Sequence, residues 1–459
     1  MGITKEAITE ENDDRVRIRL GNDPDVHIIE EYGFQCSILQ QPSAFTLRLS
    51  GGNSAQAVIA KHPPGPTSRC ALYIGPFRQF TGELDASNAF GDTNATNVEL
   101  KGRDLMARLH DTDITGERSF NNATYEELFK AALTDVGQGH KIIEISNTAN
   151  RKVRSGYGVK VKSEPVKVDE VKQTTSGAGF RNVVTAKLGE TWLNFLERHF
   201  GKIGLFPWCD ANGNFVLSRP NGEQEATFHF FRKRGQLASI ANVKSFRFTN
   251  DTTNRCSEVV IFARNGGRKF GHNHTHGGFV DEEMKGYGFI DEAKKLSIRR
   301  RVYRDTDVTS EEEAKFYARR KMAEVNRAGW KLQYVISGHT APLKSDIDKR
   351  AVIIPDMVAR VDDDELGIHE NLYIEAVEYR SPPRTTVVTM MRPQDLVFGE
   401  NQALSGTAKA KKATERKMLS FERLRDPIDF KRGDPNAITS VVVDPSSKAF
   451  GLSIPKIQP

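Results

Sequence analysis

The sequence predicts a β-rich α+β protein of several domains: two antiparallel β-barrel units with an α+β insertion between them. Three observations carry this. Short runs of alternating apolar and polar residues recur between turn-forming stretches. A helix-patterned interlude interrupts them from Asp111 to about residue 235. The chain has 459 residues, more than one hydrophobic core usually serves. The expected units are 1–110, an N-terminal arm and the first barrel; 111–235, the insertion; 236–400, the second barrel with an inserted helix; and 401–459, an extended C-terminal docking arm.

In the first unit, strands are expected at Val16–Leu20, Phe45–Leu49, Ala57–Ala60, Ala71–Ile74 and Val98–Leu100. Pro63-Pro64-Gly65-Pro66 reads as a hairpin tip, because proline has no N–H to give a central ladder. The run Val98–Leu109, VELKGRDLMARL, closes the unit as a helical turn or a strand end. In the insertion, Tyr125, Leu128, Phe129, Ala132 and Leu133 mark a helix, with Thr124 as N-cap and Gly137 past its end. Lys141–Ile145 reads as a strand, and Asn147–Phe180 as a long polar connection.

The central stretch runs from Gly189 to Pro220. Trp192, Phe195, Leu196, His199 and Phe200 fall at i, i+3, i+4, i+7 and i+8, one face of a helix. Asn212-Gly213 then joins two apolar runs, and both residues tolerate the positive φ of a tight hairpin. In the second unit, strands are expected at Val243–Phe248, Glu258–Ala263, Leu332–Ile336, Ala351–Ile354, Met357–Val361, Leu372–Tyr379 and Thr386–Met391. Ser297–Tyr303 is strand-like and basic. Asp307–Ala328 is a helix opened by a Thr309/Glu312 capping box.

These segments resemble baseplate hub proteins of Mu-type contractile-tailed bacteriophages. The resemblance rests on three motifs in order: the Gly102-Arg103-Asp104-Leu105 stretch, the GETWLNFLER helix with its CDANGNFVLSRP hairpin, and the run from Ala314 to Arg392. It covers roughly residues 15–400. It implies a structural protein with no enzymatic activity and no cofactor. Three subunits with two similar barrels each would form a pseudo-sixfold ring joining the sixfold tail tube to the threefold central spike. The implied partners are two further copies, the tube protein, the spike and other baseplate proteins, with viral DNA passing through the bore. The implied setting is the virion, assembled in the host cytoplasm. The alternatives are the hub of a contractile secretion or injection machine, and a tail-associated peptidoglycan hydrolase.

Composition fits a protein of ordinary polarity: 38% hydrophobic and 27% charged residues, net charge +6. No apolar run approaches the roughly 18 residues of a membrane helix, so no stable membrane association is expected. The N-terminus has no apolar core of a secretory signal. Cys36, Cys70, Cys209 and Cys256 form no CxxC pair and read as buried free thiols. No P-loop, HExxH or G-x-S-x-G occurs.

Three constellations remain. His272, His274 and His276 would share one side of a strand, which suits a transition metal, although the Gly, Asn and Thr around them suit a loop. Asp362, Asp363, Asp364 and Glu365 read as a solvated turn rather than a Ca²⁺ or acid–base site. Arg299–Arg301 with Arg304 would point to alternate faces of a strand, which suits an edge facing solvent or a subunit better than a phosphate grip. In the arm, Phe421, Phe430, Val441, Val442, Val443 and Phe450 are spaced apolar anchors for a partner.

Overall fold

The computed structural model describes residues 14–396, apart from 24–25, 27–28, 51–59, 92–95, 117, 122, 139–141, 146–182, 201–204, 219, 221, 234–241, 265–273, 282, 306–310 and 348. His272 and the whole arm from 397 onward, with Phe421, Phe430, Val441, Val442, Val443 and Phe450, lie outside these residues.

The first β unit comprises β1 (Val16–Leu20), β2 (Ile29–Ser37), β3 (Ala44–Ser50), β4 (Gly65–Ile74), β5 (Phe77–Gly91) and β6 (Thr96–Asp104). Strand β1 shows the expected alternation, with Val16, Ile18 and Leu20 buried. The hairpin expected at Pro63–Pro66 is not one. Strand β3 pairs with β2 and β6, whereas β4 pairs with β1 and β5. Pro66 instead stands at the start of β4, where a missing N–H does no harm. Ala60, expected in a strand, is helical, and residues 57–59 of that expected strand lie outside the described residues.

The insertion holds α1 (Ala107–Asp111), β7 (Ser119–Asn121), α2 (Tyr125–Asp135), β8 (Ile142–Ile145), β9 (Val183–Thr185), α3 (Trp192–Phe200), β10 (Phe206–Cys209) and β11 (Phe215–Ser218). Thr124 and Glu127 form a reciprocal capping box on α2. Helix α3 buries Trp192, Phe195, Leu196, His199 and Phe200, the face that the spacing marks. Strands β10, β11 and β8 form a small sheet, and Phe215 and Leu217 of β11 join α1, α2 and α3 in one core.

The second β unit begins with β12 (Phe228–Arg232) and β13 (Val243–Asn250). A compact subunit follows: β14 (Glu258–Arg264), β15 (His274–Val280), α4 (Glu283–Gly286), β16 (Ile290–Asp291), β17 (Leu296–Ser297), β18 (Arg300–Asp305) and α5 (Glu311–Gly329). Thr309 of the expected capping box is outside the described residues. The unit ends with β19 (Trp330–Ser337), β20 (Thr340–Pro342), β21 (Arg350–Val352), β22 (Val358–Asp363), β23 (Ile368–Ser381) and β24 (Thr385–Met391).

The two β units share one twelve-stranded sheet, ordered β1-β4-β5-β6-β3-β2-β23-β24-β19-β13, with β22 and β12 branching from β23. Strand β12, which the sequence places in the insertion, pairs with β22. The seam is β2 against β23, antiparallel from Tyr32↔Ser381 to Ser37↔Ala376. Fourteen residues let β23 serve two partners along one edge: its first half pairs with β22 and its second with β2. Among the described residues the hydrogen-bonded order does not close into a ring. One hydrophobic cluster runs from Val16 to Met390 across the seam.

Candidate interaction site

The motifs that carry the resemblance turn out to be joints. Gly102 faces β5 so closely that a Cβ would sit 2.2 Å from the Glu83 carbonyl oxygen, so no other residue fits. Arg103 donates to Asp85 (2.7 Å) and Asp111 (2.9 Å), tying the sheet to α1. Buried Asp104 accepts from the Ser43 and Met106 amides at 2.9 and 3.0 Å, and burial pushes its carboxyl up to about 7. Leu105 is buried in the insertion core.

Trp192 is fully buried, donates its indole N–H to Asp135 at 2.8 Å, and meets Phe195 edge-on. Leu196 is buried beside it. The Asn212-Gly213 turn is not an exposed tip, as such turns usually are. Asp210 accepts the Asn212 and Asn214 amides, and Thr81 Oγ1 of β5 donates to the Ala211 carbonyl at 2.7 Å. The hairpin therefore plugs the insertion into the first β unit.

The acidic run corrects an expectation. Asp363 is wholly buried rather than solvated: it accepts a two-pronged bond from Arg232 (2.9 Å) and the Tyr334 hydroxyl (2.6 Å). Asp362 pairs with Arg360, His229 and His369, and those donors hold its carboxyl well below the usual range. Both carboxylates knit strands together. They are not poised for acid–base work.

At the seam, His339 is fully buried. Thr386 Oγ1 donates to the Gly338 carbonyl, so it accepts from His339 Nδ1 at 2.9 Å. That leaves Nε2 to accept from the Tyr32 hydroxyl at 2.6 Å. Burial lowers the His339 pKa to about 4. Beside it lies a polar cavity of about 400 Å³, lined by Asp14, Ser337, Gly338, Thr340, Arg350 and Arg384. Its cations are engaged already: Arg384 with Asp14 at 2.6 Å, and Arg350 with the Thr340 carbonyl at 2.7 Å.

The surface that is left unsatisfied is the small sheet β15-β14-β18. Its inner face is closed, because Val259 and Ile261 pack on Ala314, Ala318 and Met322 of α5. The outer face is open. Register places Val280, Glu258 and Arg300 in one row, Gly278, Val260 and Val302 in the next, and His276, Phe262 and Arg304 in the third. Val302 is 56% exposed, Phe262 41% and Val280 41%. Upstream of β18, Leu296 (54%) and Ile298 (62%) are exposed as well.

The arginines divide as their spacing predicts. Arg299 turns inward, donates to the Thr253 and Arg255 carbonyls, and covers the Phe289 ring at 4.2 Å. Arg301 reaches Asn254. Arg300 points outward and pairs with Glu258. Arg304 is exposed and has no ion pair or hydrogen bond among the described residues. His274 and His276 lie in strand β15 rather than a loop, opposite Arg264 and Phe262. Among the described residues no three His, Cys, Asp or Glu side chains gather as a metal site. No helix among the described residues is long and apolar enough to cross a membrane. The sequence gives no signal for the β2–β23 seam or for the buried Tyr32–His339–Thr386 relay; their residues meet only in the fold.

No protein-family model matches the sequence, and no curated protein matches it. Solved structures do. The fold is similar to a 43 kDa tail protein of prophage MuSo2 from Shewanella oneidensis, with TM-score 0.60 and 19% identity over 83% of this chain and 99% of that one. It is also similar to a tail protein from Neisseria meningitidis MC58, with TM-score 0.62 and 16% identity over 83% of this chain and 98% of that one. The chain thus has a β-rich fold that these tail proteins share over almost their whole length.

Proposed function

We propose that the chain is a structural, non-enzymatic component of a contractile phage tail baseplate, acting as its hub. The carrying observation is the likeness of its fold, over 83% of this chain, to two phage tail proteins, in a chain whose sequence motifs resemble hub proteins in the same order. In this reading three copies form a ring. The two β units of each copy act as barrel-like, near-equivalent surfaces, so that six such surfaces meet the sixfold tube and three copies meet the threefold spike. The ring surrounds the channel through which DNA leaves the virion. The arm from 401 to 459 docks on a neighbouring baseplate protein through its spaced apolar anchors. The protein assembles in the host cytoplasm and works in the virion.

What supports a structural role is that the acidic run and the buried histidine of the seam serve structural pairing: Asp362 and Asp363 hold strands, and His339 closes the seam. Multi-angle light scattering of the purified chain tests the proposal. A mass three times that of the monomer is the expected result. A stable monomer at micromolar concentration, absent also from purified tails, would overturn it. The hydrolase alternative is tested on a cell-wall zymogram, where clearing by the pure protein would favour it. A hub of a secretion machine differs in its partners, and finding the chain in a particle without a capsid would favour that.

A further inference from the structure

We propose that the open face of the β15-β14-β18 sheet is the seat of a different protein, one whose contact surface is an apolar ridge flanked by carboxylates. The inference rests on the chemistry of the face alone and stands whether or not the hub reading holds.

Exposed apolar area on this molecule is concentrated. Among the described residues ten large hydrophobic side chains are exposed, and six of them, Phe262, Val280, Tyr287, Leu296, Ile298 and Val302, fall between residues 262 and 302. Scattered exposed hydrophobics mean little, whereas a contiguous patch rimmed by charge marks a contact site. Contiguity follows from register, which sets Val260 beside Val302 and Phe262 beside Arg304. Leu296 and Ile298, exposed on the segment that leads into β18, add apolar area just upstream of it. The strand pattern is inverted with respect to solvent. On β18 the apolar Val302 faces out, while Arg301 and Tyr303 are the more sheltered residues.

The charge on the rim selects the occupant. Arg300 and Arg304 of β18 are exposed, and Glu258 offsets only Arg300. Two copies packed face to face through a twofold axis would bring these cations together, which is repulsive at close range. The chain's own acidic run is no complement, since Asp362 and Asp363 are engaged with His229, Arg360 and Arg232. A nucleic-acid backbone fits poorly, because the centre of the face is aliphatic and offers Val260 and Val302 where phosphates would need donors. A protein surface with leucine- or valine-like residues between aspartates or glutamates satisfies both the centre and the rim.

Site-specific photo-crosslinking tests this. A photo-reactive phenylalanine analogue is placed at Val302 of the full-length chain, in the cells that naturally make it. The same analogue at Ile347, exposed but outside the face, is the control. The expected result is one recurrent cross-linked peptide from another protein, apolar with Asp or Glu within a few residues. Its yield should fall about tenfold when Arg304→Glu is added, because reversing a rim charge slows encounter. Cross-links to this chain itself, to its arm, or to a basic peptide would overturn the proposal. So would no product beyond the Ile347 control, or a yield indifferent to Arg304→Glu.

Discussion

Two small sheets in this molecule have the same parts and opposite fates. Each has three strands, two antiparallel and one parallel, and each lies against a helix. In the insertion, β11 is buried at all four residues, Phe215–Ser218, because helices cover one side and the neighbouring β unit the other. In the second unit, α5 covers one face of β14, and the other face presents Phe262 and Val302 to solvent. The difference is one of completion. A three-stranded sheet with both faces covered repays its ordering within the chain, whereas one with a bare apolar face leaves that burial to another molecule. Closed parts should therefore govern folding, and the open part assembly.

The largest expected effect is in the closed sheet. Trp192→Ala should destabilise the chain by about 3–5 kcal/mol, since it removes a fully buried aromatic and its bond to Asp135. Denaturant unfolding measures this, and a normal midpoint would show that the closed sheet does not govern folding. The seam should be closed too, and its signature is pH. The His339 pKa is depressed from 6.5 to about 4 in the folded state. The neutral ring therefore stabilises the fold fully above pH 6.5, and this contribution is lost as pH falls through 4. The shift is worth about 3 kcal/mol. Melting of the wild type between pH 7 and 4 should drop more steeply than that of His339→Gln; equal slopes would deny the histidine its role. Next comes Gly213→Ala. Its φ of +82° and a Cβ 2.8 Å from Thr81 Cγ2 predict a loss of about 1–3 kcal/mol, read as a lower melting temperature. The smallest effect on stability belongs to the open face. Val302→Glu should change unfolding free energy by no more than about 0.5 kcal/mol, because the side chain is already in water.

Local patterns were legible in the sequence. The helix through Trp192 and Leu196, the capping box at Thr124 and the outward turn of Arg300 against the inward turn of Arg299 all follow from periodicity and side-chain chemistry within a few residues. What depended on distant partners was not legible. Strand β2 has no clear signature because its burial is irregular, and its pairing with β23 joins residues more than 300 positions apart. Asp363 read as a solvated turn residue because Arg232 and Tyr334, which bury and satisfy it, are far away in sequence. The Asn212-Gly213 turn was legible as a hairpin, but its burial against Thr81 was not. The bare face of β14 was half legible: the arginine alternation marked an edge, while the absence of a covering element appears only in the fold.

The division between closed and open sheets is tested most directly by one measurement: the fraction of Val302→Glu chain that enters assembled particles when co-expressed with wild type. The added carboxylate keeps the fold and meets an acidic partner with like charge. The expected result is a normally melting variant that is almost absent from the particles. Incorporation at the wild-type level would contradict it.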